Sequence, residues 1–497
     1  MTQNAPSTDP SRGARVSQAI RECREAQAEW SGVALRDRLA LVRRLRHRIA
    51  AKPDRLAASI CLPQRLSAES LSGEVLPLAD ACRFLEREAP KALAPRRFGR
   101  RGRPLWLYRT SLEIRRDPVG LVLIIAPWNY PLLLAGVQAI QALTAGNGVI
   151  LKPGRRSSAA AEALAEMVYE AGFDRRLLQV LPETVEAAQA AIAAGVDKVV
   201  LTGSASTGQA VFGQLAQSRT PMVMELSGCD GAFVREDADL DLVVDALVFG
   251  ARLNGGATCI APRRVFVHQS VATALEERLA AAFRKLPPLT VDRAAAESAA
   301  GLIHEAIEAG ARLVAGRYES ADDFQPMLLA GARPEMKLLQ SDVFVPVLAI
   351  VPVADDETAL AASALCPYGL GASVFGRSAA AERLARRVDA GCVVVNDIIV
   401  PTADPRMPFG GRRQSGFGTT RGLEGLLEFT AIKAVAVRRS RWLPHLKPLL
   451  PADEDLIRGY LRLVHGATLA QRLRAVMDLV RALAARRRNI RDASGEG

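Results

Sequence analysis

Three side chains stand where the sequence suggests that their chemistry could be used. Cys259 ends the glycine-containing run 254–259, which predicts a loop in which a thiol can be reactive. Glu225 lies within the apolar, strand-like run 222–226, where a carboxylate is costly unless it is paired or serves as an acid or base. Asn129 follows another apolar run and can direct its amide N–H at an oxyanion. Taken singly, each also fits a structural role: a small buried thiol, a paired carboxylate, and a turn before proline.

A glycine-containing turn offers a second kind of chemistry. In residues 201–208 a strand-like run ends, glycines follow at Gly203 and Gly208, and a helix is predicted to begin after Ser204. Glycines let the backbone approach a ligand closely, and a helix start presents free N–H groups to phosphate. An ordinary strand-to-helix turn explains the same pattern, so the turn alone does not identify a site.

The elements that must position these residues alternate along the chain. Strand-like and helical runs follow one another across residues 119–226, and a second alternating region spans about 232–396. Such alternation predicts an α/β protein with parallel sheets, and two αβ domains in tandem are the simplest division. Nucleotides commonly bind at the carboxyl ends of strands in such sheets.

Composition excludes several classes of protein. The chain has 497 residues, of which 49% are hydrophobic, so it can bury a large core in more than one domain. Its 7 cysteines include no CxxC pair, which favours a reducing compartment, and its 5 histidines show no metal-ligand spacing, so we predict no metal site. No apolar run is long enough to span a membrane or to act as a secretory signal, so we expect a cytoplasmic protein.

The positive charge gathers toward the two ends of the chain. The formal net charge is +12, with arginine runs near residues 43–46, 96–103 and 486–488. These runs do not interleave with aromatic residues, so we predict solvated faces and no nucleic-acid partner. Residues 469–488 predict a basic helix with one apolar stripe. Two roles remain open for this helix: it packs on the body of the protein, or it contacts an anionic membrane surface or a partner.

The order and spacing of several motifs resemble the aldehyde dehydrogenase superfamily over roughly residues 38–430. The motifs that carry the resemblance are Pro127-Trp128-Asn129, Leu151-Lys152-Pro153, Thr202-Gly203-Ser204, Glu225-Leu226-Ser227-Gly228, Cys259, Phe344-x-Pro346 and Pro408-Phe409-Gly410-Gly411. The resemblance implies NAD(P)-dependent oxidation of an aldehyde to a carboxylic acid. Cys259 then matches the catalytic thiolate, Glu225 the general base that activates water, and Asn129 the oxyanion donor. The cofactor-binding residues predicted on the same basis are Trp128, Lys152, Arg155, Gly203, Ser204, Gly208, Asp342 and Phe344.

This chain departs from the family pattern around the cofactor. After Lys152 and Pro153 the family usually has Ser or Ala and then Glu, whereas Gly154 and Arg155 stand here. That Glu would accept from a ribose 2′-hydroxyl and repel a 2′-phosphate, so Arg155 predicts NAD or NADP with a tilt toward NADP. An Arg155 that points to solvent is the alternative. Three further departures from the family pattern can weaken the binding of the cofactor. They are Ala257, Asp342 and Ser227.

The short region before residue 127 resembles the class 3 branch of the superfamily. That branch implies aromatic or medium-to-long aliphatic aldehydes and a homodimer formed through a strand arm, here residues 112–116 and 432–437. The expected fold has a Rossmann-like cofactor domain with N-terminal helices, a catalytic domain, and a small β oligomerisation arm. Their predicted extents are 1–108 with 118–227 for the cofactor domain, 228–400 for the catalytic domain, 109–117 with 401–440 for the arm and an active-site loop, and 441–497 for a basic C-terminal extension. Two alternatives are a member of the superfamily that forms or reduces acyl-CoA, and a catalytically silent scaffold.

Overall fold

The structure is a computed structural model that describes residues 10–441, 443–446 and 448–494. Helices and strands are numbered in chain order. The α-helices are α1 Pro10–Ser31, α2 Leu35–Ala51, α3 Pro53–Ala58, α4 Ser67–Ser70, α5 Leu76–Ala92, α6 Leu133–Ala145, α7 Ser158–Glu170, α8 Val185–Ala193, α9 Ala205–Ser218, α10 Leu240–Arg252, α11 Gln269–Phe283, α12 Arg293–Glu308, α13 Asp356–Ala364, α14 Ser378–Ala385, α15 Gly422–Glu428, α16 Pro451–His465 and α17 Leu469–Ser494. The β-strands are β1 Arg96–Phe98, β2 Thr110–Pro118, β3 Leu121–Ile125, β4 Gly148–Lys152, β5 Leu178–Val180, β6 Lys198–Gly203, β7 Met222–Leu226, β8 Asp230–Val234, β9 Pro262–His268, β10 Arg312–Ser320, β11 Asp323–Ala330, β12 Val347–Val353, β13 Tyr368–Gly369, β14 Gly371–Phe375, β15 Cys392–Val395, β16 Arg412–Arg413, β17 Gly416–Phe417 and β18 Thr430–Arg438.

The first large sheet has six strands in the order β17-β7-β6-β3-β4-β5. Strands β3, β4 and β7 are buried at every position, because helices cover both faces of a parallel sheet. The strand order reverses between β3 and β6, and the carboxyl ends of strands at such a switch point form a crevice for ligands. The sheet therefore brings the segments after Ile125 and Leu201 to one place.

The N-terminal helices pack on this sheet. Their apolar faces share one buried cluster with β3, β4 and α6, and Trp30 of α1 donates through Nε1 to the carbonyl oxygen of Leu143 at 2.9 Å. Helix α6 is buried along its whole length and ends at Gly146, whose φ of 99° is the left-handed conformation that glycine adopts readily. The predicted N-terminal helices are confirmed as part of the body around the first sheet.

The second large sheet has seven strands in the order β10-β11-β12-β9-β8-β14-β15. Strands β10 and β11 are antiparallel, and each other neighbouring pair is parallel. Both predicted parallel-type sheets are therefore present and the α/β class is confirmed, with one antiparallel edge strand in each sheet, β17 in the first and β10 in the second. The loop that carries Cys259 enters this sheet at β9.

The chain divides into two compact units. The described residues up to Arg96 and Ile114–Lys433 form the larger unit, which holds both large sheets. Arg97–Glu113 and the described residues from Ala434 onward form the smaller unit. The predicted boundary between a cofactor domain and a catalytic domain within the larger unit remains a prediction.

A three-stranded sheet has the order β1-β2-β18. The two segments predicted as arm strands, 112–116 and 432–437, lie within β2 and β18. Their strand conformation is thus confirmed, while their use in a dimer stays a prediction. The predicted basic helix also forms, because α17 begins at residue 469.

Within the smaller unit, α17 packs against α16. Ala475 and Ala482 are the buried residues of α17, and an ion pair joins Arg462 of α16 to Asp478 of α17 at 3.5 Å. The apolar stripe that the sequence predicted on α17 is exposed along its length. Its members are Leu469, Leu473, Val476, Val480 and Leu483.

Candidate active site

Cys259 lies in a tight loop that glycine makes possible. A short turn, Leu253–Gly256, precedes it, and β9 follows. Gly256 has a φ of 78°, and a Cβ there would lie 2.5 Å from the backbone nitrogen of Pro346. A larger residue at Gly256 would therefore displace the loop, because both the backbone conformation and the space exclude a side chain. The glycines before Cys259 serve to bring this loop close to a neighbouring segment.

Two cavities meet at Cys259, which lines both of them. One cavity, of about 270 Å³, is bounded mainly by apolar side chains. The other, of about 420 Å³, lies along the carboxyl ends of strands in the first sheet. A thiol placed at the junction can react with a molecule in the first cavity while a second molecule occupies the other.

Glu225 is a buried carboxylate on β7 that lines the same cavity as the Cys259 thiol. Thr202, its register partner on β6, donates through Oγ1 to Glu225 Oε2 at 3.4 Å. Burial raises the pKa of Glu225, and the nearby Arg421 guanidinium acts in the opposite direction. The carboxylate is therefore held in a state that favours accepting a proton.

The pKa of Cys259 is raised well above its usual value. Burial is the main cause, and the carboxylates of Glu225 and Asp230 add to it. Because the thiol and the Glu225 carboxylate line the same cavity and interact electrostatically, the carboxylate is the nearby base that can take the thiol proton. The sequence analysis assigned Glu225 to water activation alone, whereas its position fits both proton transfers.

Asn129 lies directly after β3 with its side chain buried beside the Cys259 loop. Its Nδ2 donates to the carbonyl oxygen of Ala257 at 2.9 Å, and its Oδ1 accepts from the backbone N–H of Tyr130 at 3.1 Å. These two bonds fix the orientation of the amide and leave one N–H of Nδ2 for an oxyanion. Asn129, Glu225 and Cys259 line the same cavity, so the structure brings the three predicted catalytic residues together.

A buried ion pair supports Asn129, and the sequence analysis missed it. Arg65 pairs with Glu74, and the two side chains are 2% and 0% exposed. Arg65 also donates to the carbonyl oxygen of Asn129 at 2.7 Å and to Oδ1 of Asn254 at 3.2 Å. Burial raises the pKa of Glu74, while Arg65 acts to lower it. Arg65 lies in the loop between α3 and α4, and Glu74 lies just before α5, both far from any motif, so only folding reveals their role.

The larger cavity brings together most of the predicted cofactor-binding residues. The residues of that prediction that line it are Trp128, Lys152, Arg155, Gly203, Ser204, Asp342 and Phe344. Gly208 is the exception, because it is buried where α9 crosses β7. A Cβ on Gly208 would lie 2.8 Å from Leu226 and 3.3 Å from Met224. Gly208 therefore serves close helix–strand packing, and its predicted contact with the cofactor stays a prediction.

Donor and acceptor groups in this cavity fit a dinucleotide. Asp342 is half-buried, lines the cavity, and has no hydrogen-bond partner for its Oδ1 among the described residues, so its carboxylate can accept from a ribose hydroxyl. Burial raises the pKa of Asp342 to about 6, against the effect of Ser227. The rings of Trp128 and Phe344 stand 6.4 Å apart, and Ser204 caps the start of α9. Apolar faces, an unpaired acceptor and a helix start are the features that such a ligand needs.

Arg155 is engaged by protein groups. Its guanidinium pairs with Asp292 at 2.7 Å and stacks over the ring of Trp128 at 4.8 Å. Asp292 also pairs with Arg156 at 3.4 Å. The predicted pairing of Arg155 with a 2′-phosphate therefore lacks geometric support, although Arg155 does line the cavity.

Glu183 is a second residue that the sequence analysis missed. It lines the cofactor cavity beside Lys152, and its Oε2 accepts from the backbone N–H of Ser157 at 3.2 Å. A signal existed in the sequence, because Glu183 follows the strand-like run 178–181 as Lys152 ends another. Carboxyl ends of neighbouring parallel strands meet at one edge of a sheet.

The described residues contain neither a cluster of metal ligands nor a helix that could span a membrane. Within the described part of the chain, no group of three or more His, Cys, Asp or Glu side chains is placed to hold a metal ion. Among the described helices, none is long and apolar enough to cross a membrane.

The chain belongs to the aldehyde dehydrogenase family, whose sequence profile matches residues 6–435. It is 29% identical over 472 residues to a Methylomonas protein named 4,4'-diapolycopene aldehyde oxidase, a match that covers 92% of this chain and 88% of the relative. It is also 29% identical to a Mycobacterium bovis protein named "Putative succinate-semialdehyde dehydrogenase NADP(+) 2", over 86% of this chain and 85% of that one.

A solved structure of the family has the same fold. It is a Mycobacterium tuberculosis aldehyde dehydrogenase complexed with NAD+, with a TM-score of 0.80 and 27% sequence identity. The match covers 87% of this chain and 92% of that one. The predicted fold class, and the assignment to the NAD(P)-dependent aldehyde dehydrogenases, are thereby confirmed.

Proposed function

We propose that this enzyme oxidises an aldehyde to a carboxylic acid through a covalent bond between the substrate and Cys259. The observation that carries the proposal is the position of Cys259, which lines two cavities at once and shares one of them with the Glu225 carboxylate. An aldehyde reaches the sulfur from the apolar cavity. The cofactor lies in the other cavity, on the opposite side of the thiol.

The first step joins the sulfur of Cys259 to the carbonyl carbon. Glu225 takes the thiol proton as the S–C bond forms, and the carbonyl π electrons move onto oxygen to give a thiohemiacetal oxyanion. The free N–H of Asn129 and the backbone N–H of Cys259 stabilise that charge. One such donor is typically worth about 3 kcal/mol in the transition state.

The oxidised nicotinamide, when bound, accepts the hydride that leaves the former carbonyl carbon. Lys152, Ser204, Asp342 and Phe344 would hold the dinucleotide. A thioester then remains on Cys259. After Glu225 has released the thiol proton to solvent, it removes a proton from water, and the oxygen of that water adds to the thioester carbon. The C–S bond then breaks to release the acid and leave the Cys259 thiolate, which the proton on Glu225 can neutralise.

A panel of aldehydes with NAD and with NADP tests this function. Wild-type enzyme is expected to form the reduced cofactor and the carboxylic acid in equal amounts, and Cys259→Ala to form neither. Absence of activity on every aldehyde would favour the catalytically silent scaffold. Acyl-CoA formed when CoA is supplied would favour the alternative in which CoA replaces water. Glu225 argues against that alternative, because transfer of the acyl group to CoA needs no base that activates water.

The lining of the smaller cavity supports a substrate with an apolar body. Its apolar members include Leu133, Leu134, Phe249, Ile260, Val400 and Phe409. Such a lining gains free energy from burying hydrocarbon and offers little to a polar chain. We therefore expect aromatic or medium-to-long aliphatic aldehydes, tested by comparing kcat/KM for hexanal and benzaldehyde with that for a short aldehyde bearing a carboxylate.

The cofactor is NAD or NADP. The predicted tilt toward NADP has weak support from the names of relatives and none from the geometry of Arg155, which Asp292 engages. The enzyme is further proposed to be a cytoplasmic homodimer with arm strands β2 and β18. Sedimentation equilibrium of the full chain tests the dimer, and a monomer at micromolar concentration would contradict it.

The exposed stripe of α17 supports contact with an anionic membrane surface. Val480 and its apolar neighbours are exposed, and Arg472, Arg474 and Arg481 on the same helix are exposed too. Apolar side chains flanked by cations suit anionic headgroups. Full-length enzyme is expected to co-sediment with phosphatidylglycerol vesicles, and Val480→Glu to do so less. Equal behaviour of Val480→Glu and the control Leu313→Glu would argue against the contact.

A further inference from the structure

Glu183 is a charged residue of the cofactor cavity that lies outside the family motifs of this chain. We propose that Glu183 receives the adenosine ribose and excludes a 2′-phosphate, so that this enzyme prefers NAD to NADP. The inference rests on the proposed function, because it takes the adenosine end of the cofactor to lie beside Lys152. It names a selectivity residue at a position different from the family's usual glutamate, whose place Arg155 holds.

Glu183 is held rigidly where two elements meet. It follows β5 and precedes α8, and its Oε2 reaches the start of α7. There it accepts from the backbone N–H of Ser157 at 3.2 Å and from Oγ of Ser158 at 3.0 Å. A carboxylate fixed by two donors cannot swing away when a ligand arrives. Its remaining acceptor capacity faces the cavity.

The charge of Glu183 persists at neutral pH. The backbone N–H of Arg156 and the donors at Ser157 and Ser158 hold the pKa of Glu183 below its usual value. Burial lowers the pKa of Lys152, while the negative charge of Glu183 raises it. The two side chains therefore act on each other within the cavity that both of them line.

A ribose and a phosphorylated ribose meet this pair differently. A 2′-hydroxyl can donate to the Glu183 carboxylate while Lys152 donates to a neighbouring ribose oxygen. A 2′-phosphate offers Glu183 only acceptors, and its negative charge is repelled in a partly desolvated site. The N–H groups at the start of α7 would otherwise suit a phosphate, but Glu183 already engages them.

Nearby cations do not offset this repulsion. Arg155 and Arg156 both pair with Asp292, at 2.7 and 3.4 Å. Asp292 is 5% exposed, so it is a fixed anchor for the two guanidinium groups. Binding a 2′-phosphate through Arg155 would require breaking its ion pair and its stacking on Trp128. The charge of Glu183 toward a 2′-substituent is thus not offset by Arg155 or Arg156.

Calorimetric titration of full-length enzyme with NAD and with NADP tests the inference without turnover. Glu183→Gln keeps the size and most hydrogen bonds of the side chain. Glu186→Gln is the matched control, because Glu186 is an exposed carboxylate in the first turn of α8 and does not line the cavity. Wild-type enzyme is expected to bind NAD about tenfold more tightly than NADP, or better.

Glu183→Gln is expected to reduce that ratio about tenfold, mainly by tightening NADP, and Glu186→Gln to leave it unchanged. Glu183→Ser, with folding of each variant checked by thermal unfolding, should show the same direction. A wild-type preference for NADP, or an unchanged ratio in both Glu183 variants, would overturn the inference, as would failure to bind either nucleotide. Failure of the proposed function is distinct: the binding ratio would shift while no aldehyde is oxidised.

Discussion

The two ends of the cofactor cavity were built in different ways. At the catalytic end, Cys259, Glu225 and Asn129 stand at the positions that the family pattern requires. At the ribose end the usual glutamate is missing, and Glu183 brings a carboxylate from another loop. Both ends nevertheless lie in one cavity, which is lined by Glu225 of β7 and by Glu183 of the loop after β5.

This difference follows from what each group must do. The catalytic groups must address one carbon atom, so each needs a fixed distance and direction from the sulfur. A carboxylate that discriminates between ribose substituents needs only to face the substituent. The segment after a neighbouring strand can therefore supply that carboxylate. Strands β4 and β5 are adjacent and parallel, with Leu151 paired to Val180, so their carboxyl ends open at the same edge. The catalytic end is therefore the less tolerant of substitution.

Removing the nucleophile should give the largest effect. Cys259→Ala is expected to lower kcat by at least about a thousandfold, because no covalent intermediate can form. Affinity for NAD should be unchanged, which calorimetry measures. Cys61→Ala, which alters an exposed thiol, is the control and should keep full activity. Substantial residual turnover in Cys259→Ala would contradict the view that the catalytic end is less tolerant of substitution than the ribose end.

Glu225→Gln should come next, with kcat lowered about a hundredfold to ten-thousandfold through loss of the base. Because hydrolysis of the thioester needs this base, an acyl-enzyme is expected to accumulate after one turnover. Mass spectrometry of enzyme quenched after mixing with aldehyde and NAD detects it. If kcat falls and no acyl-enzyme is present, the base acts mainly in the first step, on the Cys259 thiol.

Asn129→Ala should lower kcat about a hundredfold to a thousandfold, since one oxyanion donor is lost. KM for the aldehyde should change little, because the charge exists only after attack. Arg65→Lys tests the support of Asn129: kcat should fall by less than in Asn129→Ala, and the fall should be lost when Asn129 is already alanine. Additive effects of the two substitutions would show that Arg65 acts elsewhere.

At the ribose end the effect should be smaller and confined to binding. Lys152→Met is expected to weaken NAD binding about tenfold, as loss of a charged donor does, while kcat at saturating NAD stays close to the wild-type value. Calorimetry and steady-state kinetics together measure this separation. A large fall in kcat would contradict the view that the two ends act independently.

The pH dependence of Cys259 alkylation tests the charge at the catalytic end. Without cofactor, the rate of reaction with iodoacetamide should keep rising above the pH range of an ordinary cysteine, because the pKa of Cys259 is raised. Glu225→Gln removes a negative charge that disfavours the thiolate, so the pKa falls and alkylation becomes faster at pH 7. Slower alkylation of Glu225→Gln at pH 7 would mean that proton removal by Glu225 outweighs its charge.

Much of the fold was predictable because each element has a local signature. The strand-like run 222–226 and the helix beginning near residue 205 were predicted within a residue or two, since buried strands and capped helices show in short windows of sequence. Arg65 and Glu74 had no such signature. Their structural role depends on their being buried together beside Asn129. Arg65 and Asn129 are 64 positions apart in the sequence, so no short window contains both.

The sequence by itself determined the family and the α/β class, and it predicted which residues react. These conclusions depend on residue types at fixed spacing, and the order of the motifs along the chain shows that spacing without coordinates. Only the tertiary structure decided that Gly208 packs, that Asp292 holds Arg155, and that Glu183 faces Lys152. The physical reason is that charge–charge effects depend on distance in space, and strand pairing sets that distance independently of separation along the chain.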